Sequence, residues 1–232
     1  MKKVFGILIV LAVLGIAAFF VLNNPLGRVV KFAIEGVGAD MMQAEVHVSN
    51  VNISTSDGRG RLNGLKLGNP KGFKTDHALK ADTIEIVIEP VSIAQDVVVL
   101  HKVLIDAPHI IYEKGGNGNN FDVIQRNVET YLGASKGDRE GKSKGKKLII
   151  DSFVIRNAKV NYNDTIDLAL PDIELRNIGR KSGGATPAQV TKAIIVALNA
   201  KIVLALAKTA AIGSMGGAAI GAGMAVKSLL GK

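Results

Sequence analysis

Two stretches of the sequence repeat each other at a distance of fifty residues: VLHKVLIDAPHIIYE at residues 99–113 and IIDSFVIRNAKVNYN at residues 149–163. Apolar residues align with apolar residues in both halves, and Tyr112 aligns with Tyr162. Each copy consists of two strand-like runs with a short break between them, at Ala107 or at Asn157. Repetition of one such unit predicts a sheet that grows by adding strands, rather than a closed globule.

The residues around the repeat also alternate with a period of two. Residues 45–67 predict a β-hairpin, with a turn at Ser56-Asp57-Gly58, and residues 84–88 and 166–178 predict further strands. The run at residues 97–105 is apolar on both faces, so we expect each face to be covered by protein or lipid. The sequence therefore predicts a mainly β fold with an antiparallel, twisted, elongated, groove-like sheet.

An uncharged apolar run at residues 4–22 follows Lys2 and Lys3. As a helix it would be about 28 Å long, close to the hydrocarbon thickness of a bilayer. We expect residues 1–27 to form an uncleaved N-terminal transmembrane helix, because the run continues into Phe-Phe-Val-Leu before Asn-Asn-Pro instead of ending at a small-x-small cleavage site; a removed signal peptide is the alternative. The paired lysines favour a cytoplasmic N-terminus, with the remaining residues across the membrane.

Three further helices are predicted. Residues 28–42 carry Val30, Ile34 and Val37 on one predicted side. A short covering helix has an apolar stripe at helical spacing that contains Phe121, Ile124, Val128 and Leu132.

The C-terminal region, residues 181–232, predicts an apolar helix that begins at Thr186-Pro187. Its glycines Gly213, Gly217 and Gly221 are four residues apart, a spacing that allows close helix packing in lipid. Three interpretations remain open: contact with membrane or lipid, packing against the protein's own sheet, or a disordered tail. Residues 28–180 form the predicted β-rich domain.

A net +4 of the chain's formal charge of +9 lies in one segment. Residues 133–147 hold six basic and two acidic residues among glycine and serine, which predicts a flexible loop within the β-rich domain. An electrostatic attraction to anionic lipid head groups or to an acidic partner is the alternative. With no Trp and three Tyr in the chain, we expect no nucleic-acid partner.

The sequence contains no recognisable arrangement of catalytic residues. The chain has no Cys, and its four His residues lack the spacing of zinc ligands. The motifs of nucleophilic hydrolases, zinc proteases and phosphate-binding loops do not occur. We therefore expect neither an enzyme nor a metal or cofactor site.

The order of these segments resembles the N-terminal region of AsmA-like envelope proteins of Gram-negative bacteria. The resemblance covers residues 1–124 and extends through the second repeat. It is carried by the apolar anchor and by the strand and turn patterns GADMMQAEVHVSNVNIS, GRGRLNGLKLGNPKGF, HALKADTIEIVIEP, VVVLHKVLIDAPHIIYE and GNGNNFDVI.

This resemblance implies a repeating β-groove, as in bridge-like lipid-transfer proteins, in which an anchor in the inner membrane holds a periplasmic sheet along whose apolar concave face phospholipid slides. Eight to ten strands would span only about 40 to 50 Å, so a homo-oligomer or a partner envelope protein is also implied. Alternation assigns seven candidate lipid-binding residues to one face: Ile84, Ile86, Ile88, Val103, Ile105, Phe153 and Ile155. The alternative function is a structural or assembly factor that binds a protein through its sheet edge and C-terminal helix, without lipid cargo.

Overall fold

The computed structural model describes residues 25–116, 118–138, 145–163 and 165–215. The predicted anchor run lies outside these residues, and so do Gly217 and Gly221 of the predicted glycine spacing. The described part is mainly β-structure with three α-helices. In chain order its main elements are α1 (Pro25–Met42), β1 (Val46–Ile53), β2 (Arg59–Leu67), β3 (Leu79–Ile88), β4 (Val97–Asp106), β5 (His109–Tyr112), β6 (Lys114–Gly115), β7 (Gly118–Asn119), α2 (Asn120–Asp138), β8 (Lys147–Arg156), β9 (Lys159–Tyr162), β10 (Ile166–Ala169), β11 (Ile173–Ile178) and α3 (Pro187–Met215).

Nine of these strands form one sheet, which curls into a half-barrel. Strands β1, β2, β3, β4, β8 and β11 lie side by side in that order, and β5, β9 and β10 continue β4, β8 and β11 beyond a break in each strand. The sheet is thus six strands wide, or about 24 Å at a spacing of 4.8 Å. This is narrower than the width expected from the sequence. Strands β6 and β7 form a separate small ribbon.

The prediction of a purely antiparallel sheet is wrong, because the two repeats lie side by side in parallel. Strand β4 pairs with β8, and β5 pairs with β9, in the same direction. The paired residues differ by fifty in number, as in Ile105 with Ile155 and Tyr112 with Tyr162, so the sequence repeat is the register of the sheet. A parallel pair needs a crossover, and α2 supplies it between the two copies.

Both repeats break at a residue with left-handed backbone. Ala107 has φ 51° and Asn157 has φ 54°. The two breaks are bonded to each other: the Ala107 N–H donates to the carbonyl of Arg156 at 2.9 Å, and the Asp106 carboxylate accepts from Arg156 at 2.9 Å and from Asn157 at 2.8 Å. These bonds keep the change of strand direction aligned across the parallel pair.

The three helices pack on the inner face of the sheet. Helix α1 contacts β1, α2 lies between α1 and α3, and α3 contacts β8, β10 and β11. The predicted stripe of α2 is confirmed, since Phe121, Ile124 and Val128 are buried in the same core as the inner face of the sheet.

Two predictions about helices need correction. Helix α2 continues to Asp138, so the first six residues of the predicted flexible loop 133–147 are helical. In α1, Val30 and Ile34 lie on the side that faces the core, but Val37, which was predicted to share that side, is exposed.

Helix α3 is apolar and starts where the sequence predicts. The Gln189 N–H donates to Thr186 Oγ1 at 3.3 Å, and the Thr186 N–H donates to Gln189 Oε1 at 2.8 Å, which together make a capping box. One side of the helix is buried against the body, through residues that include Ile195, Leu198 and Ile202. This matches the interpretation in which the helix packs on the protein's own sheet. By length and composition, residues 187–209 could also cross a membrane, and a third of this window is buried.

We predict that replacing Ala107 by Gly raises the free energy of unfolding by about 0.5 to 1 kcal/mol, because a Cβ is strained in the left-handed region. Denaturation of the full chain in mild detergent measures the change. The matched control is Ala33→Gly in the exposed, right-handed backbone of α1, which we expect to lower stability by about 1 kcal/mol. Equal losses in both variants would contradict the left-handed strain.

Candidate functional site

The register of the sheet brings six of the seven candidate lipid-binding residues onto one face. Ile84 pairs with Ile105, which pairs with Ile155, and in the next row Ile86 pairs with Val103, which pairs with Phe153. The first row runs across all six strands as Val51, Leu62, Ile84, Ile105, Ile155 and Ile173. The seventh candidate, Ile88, is buried opposite Leu100 beyond a bulge in the pairing of β3 with β4.

Burial divides the inner face into two parts. Every member of the first row is buried, and the row belongs to the core that the helices share. The candidates Ile84, Val103, Ile105, Phe153 and Ile155 therefore pack within the protein, and only Ile86 is partly exposed. Burial of an Ile or Phe side chain contributes about 1.5 to 3 kcal/mol to the free energy of folding, so the main role of these residues is to stabilise the fold.

The inner face opens toward one end of the sheet, where β4 and β8 begin. We name this region the open end. Six of its apolar side chains pack against the core yet are only partly buried, although Ile150 and Phe153 beside them are buried. Strand pairing puts these six on the inner face. Regular alternation does not, because Leu100, Leu148 and Ile178 lie an odd number of residues from Val103, Phe153 and Leu175. The six are Ile53, Ile86, Leu100, Leu148, Leu175 and Ile178.

A glycine lies within the open end. Gly60 pairs with Ile86 on one side and Ile53 on the other, and it is buried. A Cβ at Gly60 would come within 3.3 Å of the Ile86 Cβ and 3.8 Å of Ile53. The row Ile53, Gly60, Ile86 is therefore closely packed, and a side chain at Gly60 would push Ile86 aside.

Charged residues of both signs border the open end. Arg59, Lys147 and Lys181 are exposed there, and so are Asp57 and Asp96. Arg59 lies 3.9 Å from the Asp57 carboxylate, so part of its charge is compensated. Because the signs are mixed, charge alone does not select a ligand at this border, and the apolar interior is its distinctive feature.

A polar cluster lies at the bulge on the exposed side of β4 and β8. His101 Nδ1 lies 3.0 Å from Asp151 Oδ2, and its Nε2 lies 3.3 Å from Glu89 Oε2. Arg180 also pairs with Asp151. Hydrogen bonds to Asp151 and Glu89 raise the pKa of His101, and the hydrogen bond from Arg180, followed by that from His101, lowers the pKa of Asp151. The cluster ties the 3-10 helices at Pro90–Ala94 and Arg180–Ser182 to the sheet.

The asparagine-rich segment before α2 forms a buried network. The side-chain oxygen of Asn120 accepts from the N–H groups of Glu113 and Phe121, both at 3.1 Å. Its NH₂ donates to Asn69 Oδ1 and to the Ile111 carbonyl, both at 2.8 Å. Asn120 is 0% exposed, and these four bonds fix the loop after β2 against β5 and α2.

A second set of bonds joins this network to the C-terminal helix. Asn199 Nδ2 donates to Asp122 Oδ1 at 2.8 Å, and the Tyr112 hydroxyl donates to Asn199 Oδ1 at 3.2 Å. Burial, with the nearby Asp122 carboxylate, raises the pKa of Tyr112, so this hydroxyl stays a donor at neutral pH. The asparagine-rich segment before α2 therefore has a structural role: it links α2, β5 and α3 at the end of the sheet opposite the open end.

Among the described residues, no group of three or more histidine or carboxylate side chains could hold a metal ion. His77 and His109 are in contact, with 2.9 Å between Nε2 and Nδ1, but they are only a pair. Of the predicted helix-packing glycines, Gly213 lies near the end of α3. No protein-family model matches the sequence, and no curated protein matches it.

We predict that Asn120→Ala lowers the free energy of unfolding by about 3 kcal/mol, because it leaves buried backbone and amide groups without partners. Chemical denaturation of the full chain in detergent measures the loss. Asn50→Ala, at an exposed position of β1, is the control and should cost less than about 0.5 kcal/mol. A loss as small at Asn120 as at Asn50 would disprove the importance of the network.

The raised pKa of His101 predicts a pH-dependent contribution to stability. Its charged form is favoured in the folded state, so the stabilisation is complete below the unfolded pKa of 6.5 and is lost as pH rises through the higher folded pKa. We expect the difference in Tm between wild type and His101→Gln to be largest below pH 6.5 and to shrink as the pH rises above it. Comparing the Tm of the two proteins at the same pH cancels the separate pH-dependent contribution of His77, whose pKa is lowered by burial. A constant difference would contradict the ion pairs.

Proposed function

We propose that this protein is a membrane-anchored envelope protein that binds phospholipid acyl chains at the open end of its inner face and takes part in lipid transport or envelope homeostasis. The observation that carries the proposal is the apolar inner face of a six-stranded half-barrel, whose first row is buried and whose open end holds partly exposed side chains. A saturated chain gains about 0.8 kcal/mol for each CH₂ that leaves water. The resemblance to AsmA-like proteins agrees with this ligand class.

The direction of α1 supports a membrane-proximal open end. Lys31 donates to the Ser49 carbonyl at 3.3 Å, Glu35 accepts from the Val48 N–H at 2.8 Å, and Gly38 lies against Val46. Helix and strand therefore run in opposite directions. At 1.5 Å per helical and 3.3 Å per strand residue, the start of α1 lies level with about residue 52 of β1, beside the open end.

This placement connects the apolar run of the sequence with the candidate site. Residues 4–22 precede α1 by only a few residues, so an anchor in the bilayer would hold the open end close to the membrane surface. The proposed location is the bacterial inner membrane, with the body in the periplasm. A sheet about 24 Å wide is too small to cross that space, so we propose that it acts at the inner membrane or joins a second copy or another envelope protein.

We predict that a photo-crosslinking amino acid at Ile86 or Leu175 captures lipid in intact envelopes. The matched control is Val87, which is the next residue on β3, is exposed and points to the outer face. Mass spectrometry of the purified chain should find acyl-chain adducts for Ile86 and Leu175 and not for Val87. Adducts to one stoichiometric protein instead of lipid would contradict the proposal and favour an assembly factor. Equal labelling at all three positions would also contradict it.

A further inference from the structure

Helix α1 presents an apolar stripe away from the rest of the protein. Val29 is 66% exposed, Phe32 80% and Val37 40%, and Ala33 and Gly36 are exposed between them. Spacings of three and four residues put these positions on one side of a helix. Exposure is greatest in the first two turns, and the stripe ends at the exposed, charged Asp40.

The body holds this stripe in a fixed direction. On the opposite side of the helix, Met41 is buried, and Val30 and Ile34 pack against the core. Glu35 accepts a hydrogen bond from the main chain of β1, and Lys31 donates one to it. Rotation of α1 to hide Phe32 would break both hydrogen bonds and remove the contacts of the helix with the core. The stripe therefore stays exposed on the outside of the folded protein.

The sequence before α1 indicates what covers this surface. The apolar run ends at residue 22, and only Asn23 and Asn24 separate it from the first residue of the helix. A chain that leaves a bilayer at residue 22 must keep the first turns of α1 at the level of the lipid head groups. Phe32 and Val29 then meet the boundary between head groups and acyl chains, where aromatic and aliphatic side chains are stabilised.

We propose that the first two turns of α1 insert into the membrane surface through Val29 and Phe32, while the end near Asp40 lies off it. The helix then sets the tilt of the half-barrel and holds the open end over the bilayer. This inference rests on the proposed function in one respect, since the apolar run must place the chain at a membrane.

The absence of Trp from the chain gives a direct test. The full-length variant F32W carries a single indole and is reconstituted into vesicles of phosphatidylcholine and phosphatidylglycerol, with or without bromine on the acyl chains. The control T165W has its indole at an exposed position in the turn between β9 and β10, at the end of the sheet opposite the open end. V29W provides a second probe of the stripe, and circular dichroism checks that each variant is folded.

We expect brominated lipid to quench F32W and V29W at least about twofold more than T165W, and bromines near the head groups to quench more than deep ones. Equally weak quenching of all three variants in vesicle-bound protein would overturn the inference and leave the anchor intact. The inference would also be overturned if the F32W emission were blue-shifted to an extent that depends on protein concentration, with no quenching by brominated lipid. A second copy of the chain would then cover the stripe. Protein that does not sediment with vesicles would contradict the anchor itself.

Discussion

The parallel pairing of the two repeats is the constraint from which the rest of the structure follows. Two parallel strands cannot be joined by a tight turn, so the chain must leave the sheet after β5 and return at β8. The returning segment is α2, which packs on the inner face and contacts α1 and α3. Because these helices share one core with the first row of the inner face, they close that part of it. The open end is the part where the inner face stays partly exposed.

Polar groups are arranged to support this division. Asn120, fully bonded and without contact to solvent, fixes the start of α2 at the end of the sheet where the helices cover it. The cluster of His101, Glu89, Asp151 and Arg180 lies at the other end, is exposed, and holds the connections around the open end. The loss of a buried hydrogen bond lowers the free energy of unfolding more than the loss of an exposed ion pair. The polar contacts at the covered end therefore contribute more to stability than those at the open end.

Alternation of apolar residues was sufficient to predict the strands, the shared face of Ile84 and Ile105, and the fifty-residue repeat. It could not predict that the repeats pair in parallel, because residues alternate in the same way in both kinds of sheet. It also could not separate the buried Ile155 from the partly exposed Ile86, since their difference depends on where distant helices pack. The hydrogen bond from Asn120 to Asn69 joins residues 51 apart, and no local pattern specifies it.

The central claim is that lipid occupies the open end, and native mass spectrometry of the full chain released from detergent micelles tests it most directly. The account predicts lipid-bound species for the wild type and for Val87→Asn, and their loss in Leu175→Asn and Ile178→Asn, with all four proteins folded by circular dichroism. A wild-type chain free of lipid, or the same bound fraction in all four proteins, would contradict the account.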